Sequence, residues 1–136
     1  MKTLEQLNAL CPSSLMGHLS IRFTEAEPGM VKAEMPVDER NVQPFGRLHG
    51  GAAIALAESV ASAASWAMVE NERTLVVGSE VSASHVGAAK PGTMVTAVGR
   101  LLHGGRLHHV WEVIVSNESG KTITICRITN TIIPPP

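Results

Sequence analysis

Residues 43–62 read QPFGRLHGGAAIALAESVAS. A histidine and two glycines lead into a run of alanine, leucine and isoleucine, and one carboxylate, Glu58, interrupts that run. The pattern predicts one long helix, roughly Gly51 to Val69, closed by Asn71-Glu72-Arg73. This helix is apolar on nearly every side, so it is expected to lie buried rather than on a surface. A sheet wrapped around one central helix meets that demand.

The flanking sequence supplies the sheet. Upstream, Leu4, Leu7 and Leu10 at helical spacing predict a short helix over 3–10. Leu19 to Thr24 and Met30 to Val37 read as strands joined by a turn at Glu27-Pro28-Gly29, and 38–48 reads as a loop. Downstream, four strands are expected over Leu75–Val86, Met94–Leu102, Leu107–Val115 and Thr122–Ile133. The turns between them are Lys90-Pro91-Gly92, His103-Gly104-Gly105 and Asn117 to Lys121, short connections that imply antiparallel neighbours. The fold class is α+β, one helix and one antiparallel sheet. No linker or repeat divides the chain, so residues 1–136 read as a single domain.

Composition narrows the function. With 44% hydrophobic and 17% charged residues, the chain is globular and leans apolar, as oligomeric proteins of this size do. Only four aromatics occur, Phe23, Phe45, Trp66 and Trp111, so the core rests on aliphatic side chains. A net charge of −1 without blocks of like charge gives nucleic-acid binding no electrostatic basis. Cys11 and Cys126 form no CxxC pair, and the N-terminus lacks signal-peptide features, so the expected location is cytoplasmic with both thiols reduced. Residues 52–69 have roughly the length of a bilayer span, but Glu58, Ser59, Ser62 and Ser65 interrupt them and a central carboxylate is costly in lipid. No membrane role is expected.

Steps of four and three place Glu58, Ser62 and Ser65 on one helix face. That polar stripe could be small-residue packing with Glu58 paired to a cation. Alternatively, a desolvated carboxylate beside a cleft is a candidate base or nucleophile. The His49-Gly50-Gly51 start offers unpaired N–H groups at the positive end of the helix dipole, suited to an anion or a developing oxyanion. Glycine lets a ligand approach the backbone there, although the same residues could simply shape a turn. Gly50 and Glu58 are 58 − 50 = 8 residues apart, about 12 Å along a helix. Both must come within roughly 3 Å of one carbonyl group to act on it. Two antiparallel helices across a two-fold axis can do this, so a catalytic role predicts a homodimer with shared sites.

The stretch QPFGRLHGGAAIALAES resembles the motif of hotdog-fold acyl-CoA thioesterases of the PaaI-like group, near the bacterial enzymes that act on aryl or acyl-CoA and acyl-carrier-protein thioesters. LEQLNAL, AEMPVDER, VVGSEVSASHV and LLHGGRLHHVW fit the same pattern, so the resemblance runs nearly end to end. It implies a long central helix wrapped by a curved antiparallel sheet, and a dimer usually paired into a tetramer. It implies Glu58 as nucleophile or general base, the Gly50 N–H as carbonyl-polarising donor with Gln43 nearby, and His49 and Ser62 as orienting groups. His85 matches a position lining the acyl pocket. Val81, Ser82, Ala83 and Ser84, and the turn His103-Gly104-Gly105-Arg106, match segments that contact pantetheine and nucleotide. Arg47 departs from the apolar residue usual at its position. No cofactor is implied, coenzyme A being part of the substrate.

His108 and His109, adjacent on a strand, should point to opposite faces, poor geometry for chelation, and no spacing matches a metal site. Two other functions share parts of this pattern. A hotdog dehydratase or hydratase also pairs a histidine with a helical acid, but the spacing around His49 and Glu58 does not follow that pattern. A non-catalytic acyl-CoA-binding protein would have no need of the intact Gln43, His49, Gly50 and Glu58 set.

Overall fold

The computed structural model describes residues 1–136. In chain order it contains α1 (Leu4–Ala9), α2 (Leu15–His18), β1 (Arg22–Glu27), β2 (Met30–Pro36), α3 (Gly50–Met68), β3 (Leu75–His85), β4 (Met94–Gly104), β5 (His108–Ser116) and β6 (Thr122–Ile133). The strands form one antiparallel sheet in the order β1-β2-β4-β5-β6-β3. The sheet packs along α3, and Ala57, Ala61 and Ala64 let the two approach closely over a core of Trp111, Phe23, Met35, Leu56 and Ile128. Although α3 has the length and hydropathy of a membrane span, half of that span is buried in the fold, on the face that meets the sheet.

Three features differ from the sequence reading. Residues 15–18 form the short helix α2, too brief to leave a periodic signal, and β1 consequently starts at Arg22 instead of Leu19. His103 and Gly104 close β4 through a bulge after Leu101, so the turn to β5 comes later. Finally, β3 is not a neighbour of β4. Residues 86–93 cross from one edge of the sheet toward the other, tied down by Val86 and Gly87 N–H to the Ile123 carbonyl and by Leu48 N–H to the Ala89 carbonyl. That crossing leaves β3 bonded to β6 alone, with its other edge open and nearly all its residues exposed.

The N-terminal segment braces α3. Asn8 brackets β1 with two bonds to the Phe23 backbone, 2.9 and 3.0 Å. Lys2 donates through Nζ to the Trp66 and Val69 carbonyls and stands 4.4 Å above the Trp66 ring, placing a cation where the helix dipole favours one.

Candidate active site

The half of the site around Glu58 forms where α3 is left uncovered. Ala55, Glu58, Ser59, Ser62 and Trp66 are all half-buried and follow one another at helical spacing, while the opposite face meets the sheet. They floor a groove of about 540 Å³ walled by Leu10, Met16 and Val76. The ion pairs of the chain are Arg22–Glu34, Lys32–Glu25 and Arg40–Asp38, so Glu58 has no cation beside it. Its carboxylate makes no hydrogen bond within the chain. The structural reading of Glu58 as a paired acid therefore fails within this chain.

The serine stripe divides. Ser65 is fully buried and accepts from Trp111 Nε1 at 2.8 Å and Asn130 Nδ2 at 2.9 Å, so its hydroxyl holds β5 and β6 to the helix. Asn130 Nδ2 also donates to the Ala61 carbonyl at 3.0 Å. With its amide so oriented, Asn130 Oδ1 accepts from Ser62 Oγ at 3.3 Å. Ser62 thus stays in the groove while its proton is held on the inward side.

The half of the site around Gly50 lies at the start of α3. Asn41 is buried and pins the preceding loop through Nδ2 to the Pro36 carbonyl, Oδ1 from Asp38 N–H, and its own carbonyl from His49 N–H. Arg40 grips the Asp38 carboxylate and holds its pKa below the usual value. On this scaffold His49 is the N-cap, its Nδ1 accepting from Gly51 N–H at 2.8 Å. The next N–H, that of Gly50, has no partner in the chain. Gln43 accepts at Oε1 from Phe45 N–H, which leaves its amide nitrogen free to donate. Arg47, Gly50 and His85 line a hollow of about 280 Å³ with Gln43. His85 is fixed by Nδ1 against Thr124 Oγ1 at 3.0 Å, and its Nε2 stands 2.8 Å from where a Cβ on Gly50 would lie. Only glycine fits that contact.

The two hollows share no lining residue. Gln43, Gly50 and His85 gather in one and Glu58 and Ser62 in the other, while the His49 side chain caps α3 and lines neither. Val81 to Ser84 lie between them on exposed β3. His103 to Arg106 sit at the far end of α3, where a Gly104 side chain would approach Met68, about 27 Å along the helix from Gly50. Thus the chain does not bring that turn to the donor half. Thr124 and Asn130 escaped the sequence reading because each sits within the β-branched run of β6, where nothing sets a polar inward residue apart from its neighbours. His108 is exposed and His109 buried, on opposite faces as expected, and burial pushes the His109 pKa down. No three His, Cys, Asp or Glu side chains are arranged to hold a metal ion.

Comparison with known proteins places the chain in a family. Residues 45–124 match the Thioesterase superfamily. The proofreading thioesterase EntH of Klebsiella pneumoniae is 44% identical over 96% of this chain and 94% of its own length. The 1,4-dihydroxy-2-naphthoyl-CoA hydrolase of Escherichia coli is 43% identical over 96% and 95%. A crystal structure of a variant of thioesterase PA1618 from Pseudomonas aeruginosa superposes with a TM-score of 0.93 at 43% identity, covering 99% of this chain and 96% of the other. The E. coli PaaI protein, at 19% identity and a TM-score of 0.83, shares the fold. The chain belongs to the thioesterase superfamily, with the hotdog fold of its PaaI-like members, and it is a thioester hydrolase.

Proposed function

We propose that the protein hydrolyses acyl-CoA thioesters carrying an aromatic or medium-chain acyl group, at two sites shared by a homodimer. The observation that carries this is the split of the site. An unpaired acid lies in one hollow and an unpaired helix N–H in another, both along the seam between α3 and β3. Glu58 stands against Gly78, and Gly50 stands against His85. The midpoint of 78 and 85 falls between Val81 and Ser82. If the open edge of β3 pairs antiparallel with a second copy about a two-fold axis through Val81 or Ser82, Gly78 of one chain lies within one residue of His85 of the other. Glu58 then comes to the Gly50 N–H across the axis. The same pairing covers exposed Val77 and Val81 and satisfies the free β3 backbone.

In this reading the Gly50 N–H, with the Gln43 amide, takes the developing charge on the thioester oxygen. Glu58 takes a proton from a water whose oxygen attacks the carbonyl carbon and passes that proton to the departing thiolate, or its carboxylate attacks directly and displaces the thiolate to form an anhydride, which water then hydrolyses to the free acid while supplying the thiol's proton. His49 and Ser62 orient the reactants, and His85 borders the acyl group. The Val81–Ser84 strand and the His103–Arg106 turn take the pantetheine and nucleotide. The apolar groove ending at Trp66 suits an aryl or medium-chain tail, and the name of the 1,4-dihydroxy-2-naphthoyl-CoA hydrolase relative supports the aryl case. The resemblance of the QPFGRLHGGAAIALAES motif leaves acyl-carrier-protein thioesters as a second substrate class. Two crystallised variants of a Staphylococcus aureus protein, each 36% identical to this chain, add support. One replaces a glutamine and the other a glutamate fifteen residues further on. Gln43 and Glu58 are 58 − 43 = 15 apart.

Free-thiol release from benzoyl-, dihydroxynaphthoyl- and medium-chain acyl-CoAs, and from an acylated carrier protein, tests the reading. Glu58→Ala should cut turnover by roughly a thousandfold or more while leaving the fold intact. Undiminished release by that variant removes Glu58 from the chemistry. Binding without release would favour an acyl-CoA-binding protein, and water addition to an enoyl-CoA a hydratase.

A further inference from the structure

Gly78 has no conformational reason to be glycine. It lies in the interior of β3, and its φ is outside the left-handed region, where the positive-φ residues of this chain are Ser20, Gly29, Gly46, Gly92 and Gly120. Glycine in a strand interior is a destabilising choice, since alanine would restrict the unfolded chain and weaken nothing in the ladder. The reason is space. A Cβ on Gly78 would stand 2.1 Å from Glu58 Oε1, 3.2 Å from its Cδ and 3.6 Å from its Cγ. The carboxylate occupies the volume that any side chain at this position would fill. A β-bulge between Gly78 and Glu80 sets the backbone there, and the extra residue, Ser79, is bonded through Oγ to the Thr129 carbonyl at 3.1 Å.

We infer that Gly78 is a positioning residue for Glu58: its bare backbone is the wall against which the carboxylate rests, and it aims the acid along the α3–β3 seam. The inference rests on the assignment of Glu58 as the catalytic acid. Glu58 has no hydrogen bond or ion pair to orient it, so this contact is what defines its place. The atom that a methyl group would displace is the far end of a flexible side chain. Gly78→Ala therefore leaves the fold free to adjust and moves the acid by at least 1.3 Å, the distance from 2.1 Å to ordinary contact at 3.4 Å. A displacement of that size can cost on the order of 100-fold in rate.

The test compares Gly78→Ala, Glu58→Asp, the double variant and Glu58→Ala in the thiol-release assay, with melting temperature and size-exclusion profile recorded for each. Gly78→Ala should lower kcat about 100-fold with KM changed less than about threefold and no loss of melting temperature. Aspartate, one methylene shorter, withdraws from the new methyl group. The double variant should therefore turn over at least about tenfold faster than the product of the two single effects allows. Independent losses in the double variant, or Gly78→Ala within threefold of the parent rate, would overturn the inference. So would a Gly78→Ala protein that is monomeric, since the residue would then serve the β3 edge. Should Glu58→Ala retain full activity, the underlying assignment of the acid fails first, and that result is distinguishable from the others.

Discussion

Mixing two inactive variants should restore activity. In the proposed dimer each site takes Gln43 and Gly50 from one chain and Glu58 from the other. Those groups cannot meet within one chain, where Gly50 and Glu58 are about 12 Å apart along a rigid helix. Consider Gln43→Ala and Glu58→Ala, each prepared as a pure protein of low activity. After subunit exchange at equal concentrations, random pairing makes half of the dimers mixed. In each mixed dimer one site carries both lesions and the other carries neither. Half the dimers with one of two sites intact give about one quarter of wild-type activity per subunit. The assay is thiol release before and after exchange, with the wild-type protein taken through the same treatment. A site contained within one chain predicts only the mean of the two parents. A mixture that stays at that mean while mass spectrometry shows mixed dimers would refute the shared site.

Ser65→Ala should lower the stability of the fold by about 1–3 kcal/mol, read from urea unfolding at fixed protein concentration, because Trp111 Nε1 loses its buried acceptor. The His109 imidazole has its pKa lowered by burial, so below about pH 6.5 the unfolded chain binds the proton first, and stability should fall as pH drops and level off above that value. Replacing His109 with Gln should flatten the melting-temperature profile in that range. Cys126 is buried and its thiol pushed up to about 11, and Cys11 is raised by the same cause. Both should react with a thiol reagent at pH 8 only after denaturant is added, and prompt reaction of the native protein would place at least one nearer the surface.

The fold was legible because one stretch over-determined it. A helix apolar on all sides has few places to go, and the β-branched runs after it supplied the sheet that encloses it. The strand order was less legible. Tight turns correctly join β4, β5 and β6, but residues 86–93 look equally like a turn while crossing to another part of the sheet. Hydrophobic pattern reports which residues are covered, not which strand covers them. The same limit applied to the stripe on α3. Helical spacing put Ser65 beside Glu58, yet Trp111 and Asn130, from strands far along the chain, claimed it for the core. The motif around His49, Gly50 and Glu58 marked the residues that border both hollows of the candidate site. The glycine that shapes the acid's place did not stand out in VVGSEVSASHV, because its role is visible only once β3 lies against α3.

With sites shared across the proposed dimer, the open edge of β3 would make this chain's activity a matter of its abundance. A strand eleven residues long with one side unbonded is a poor thing to leave in water, and in the proposed dimer a second copy hides it. Below the concentration at which copies pair, each molecule would hold an acid with nothing to act on and a donor with nothing to polarise. Specific activity should then decline on dilution and return on reconcentration, without any change in the substrate or in the chain itself.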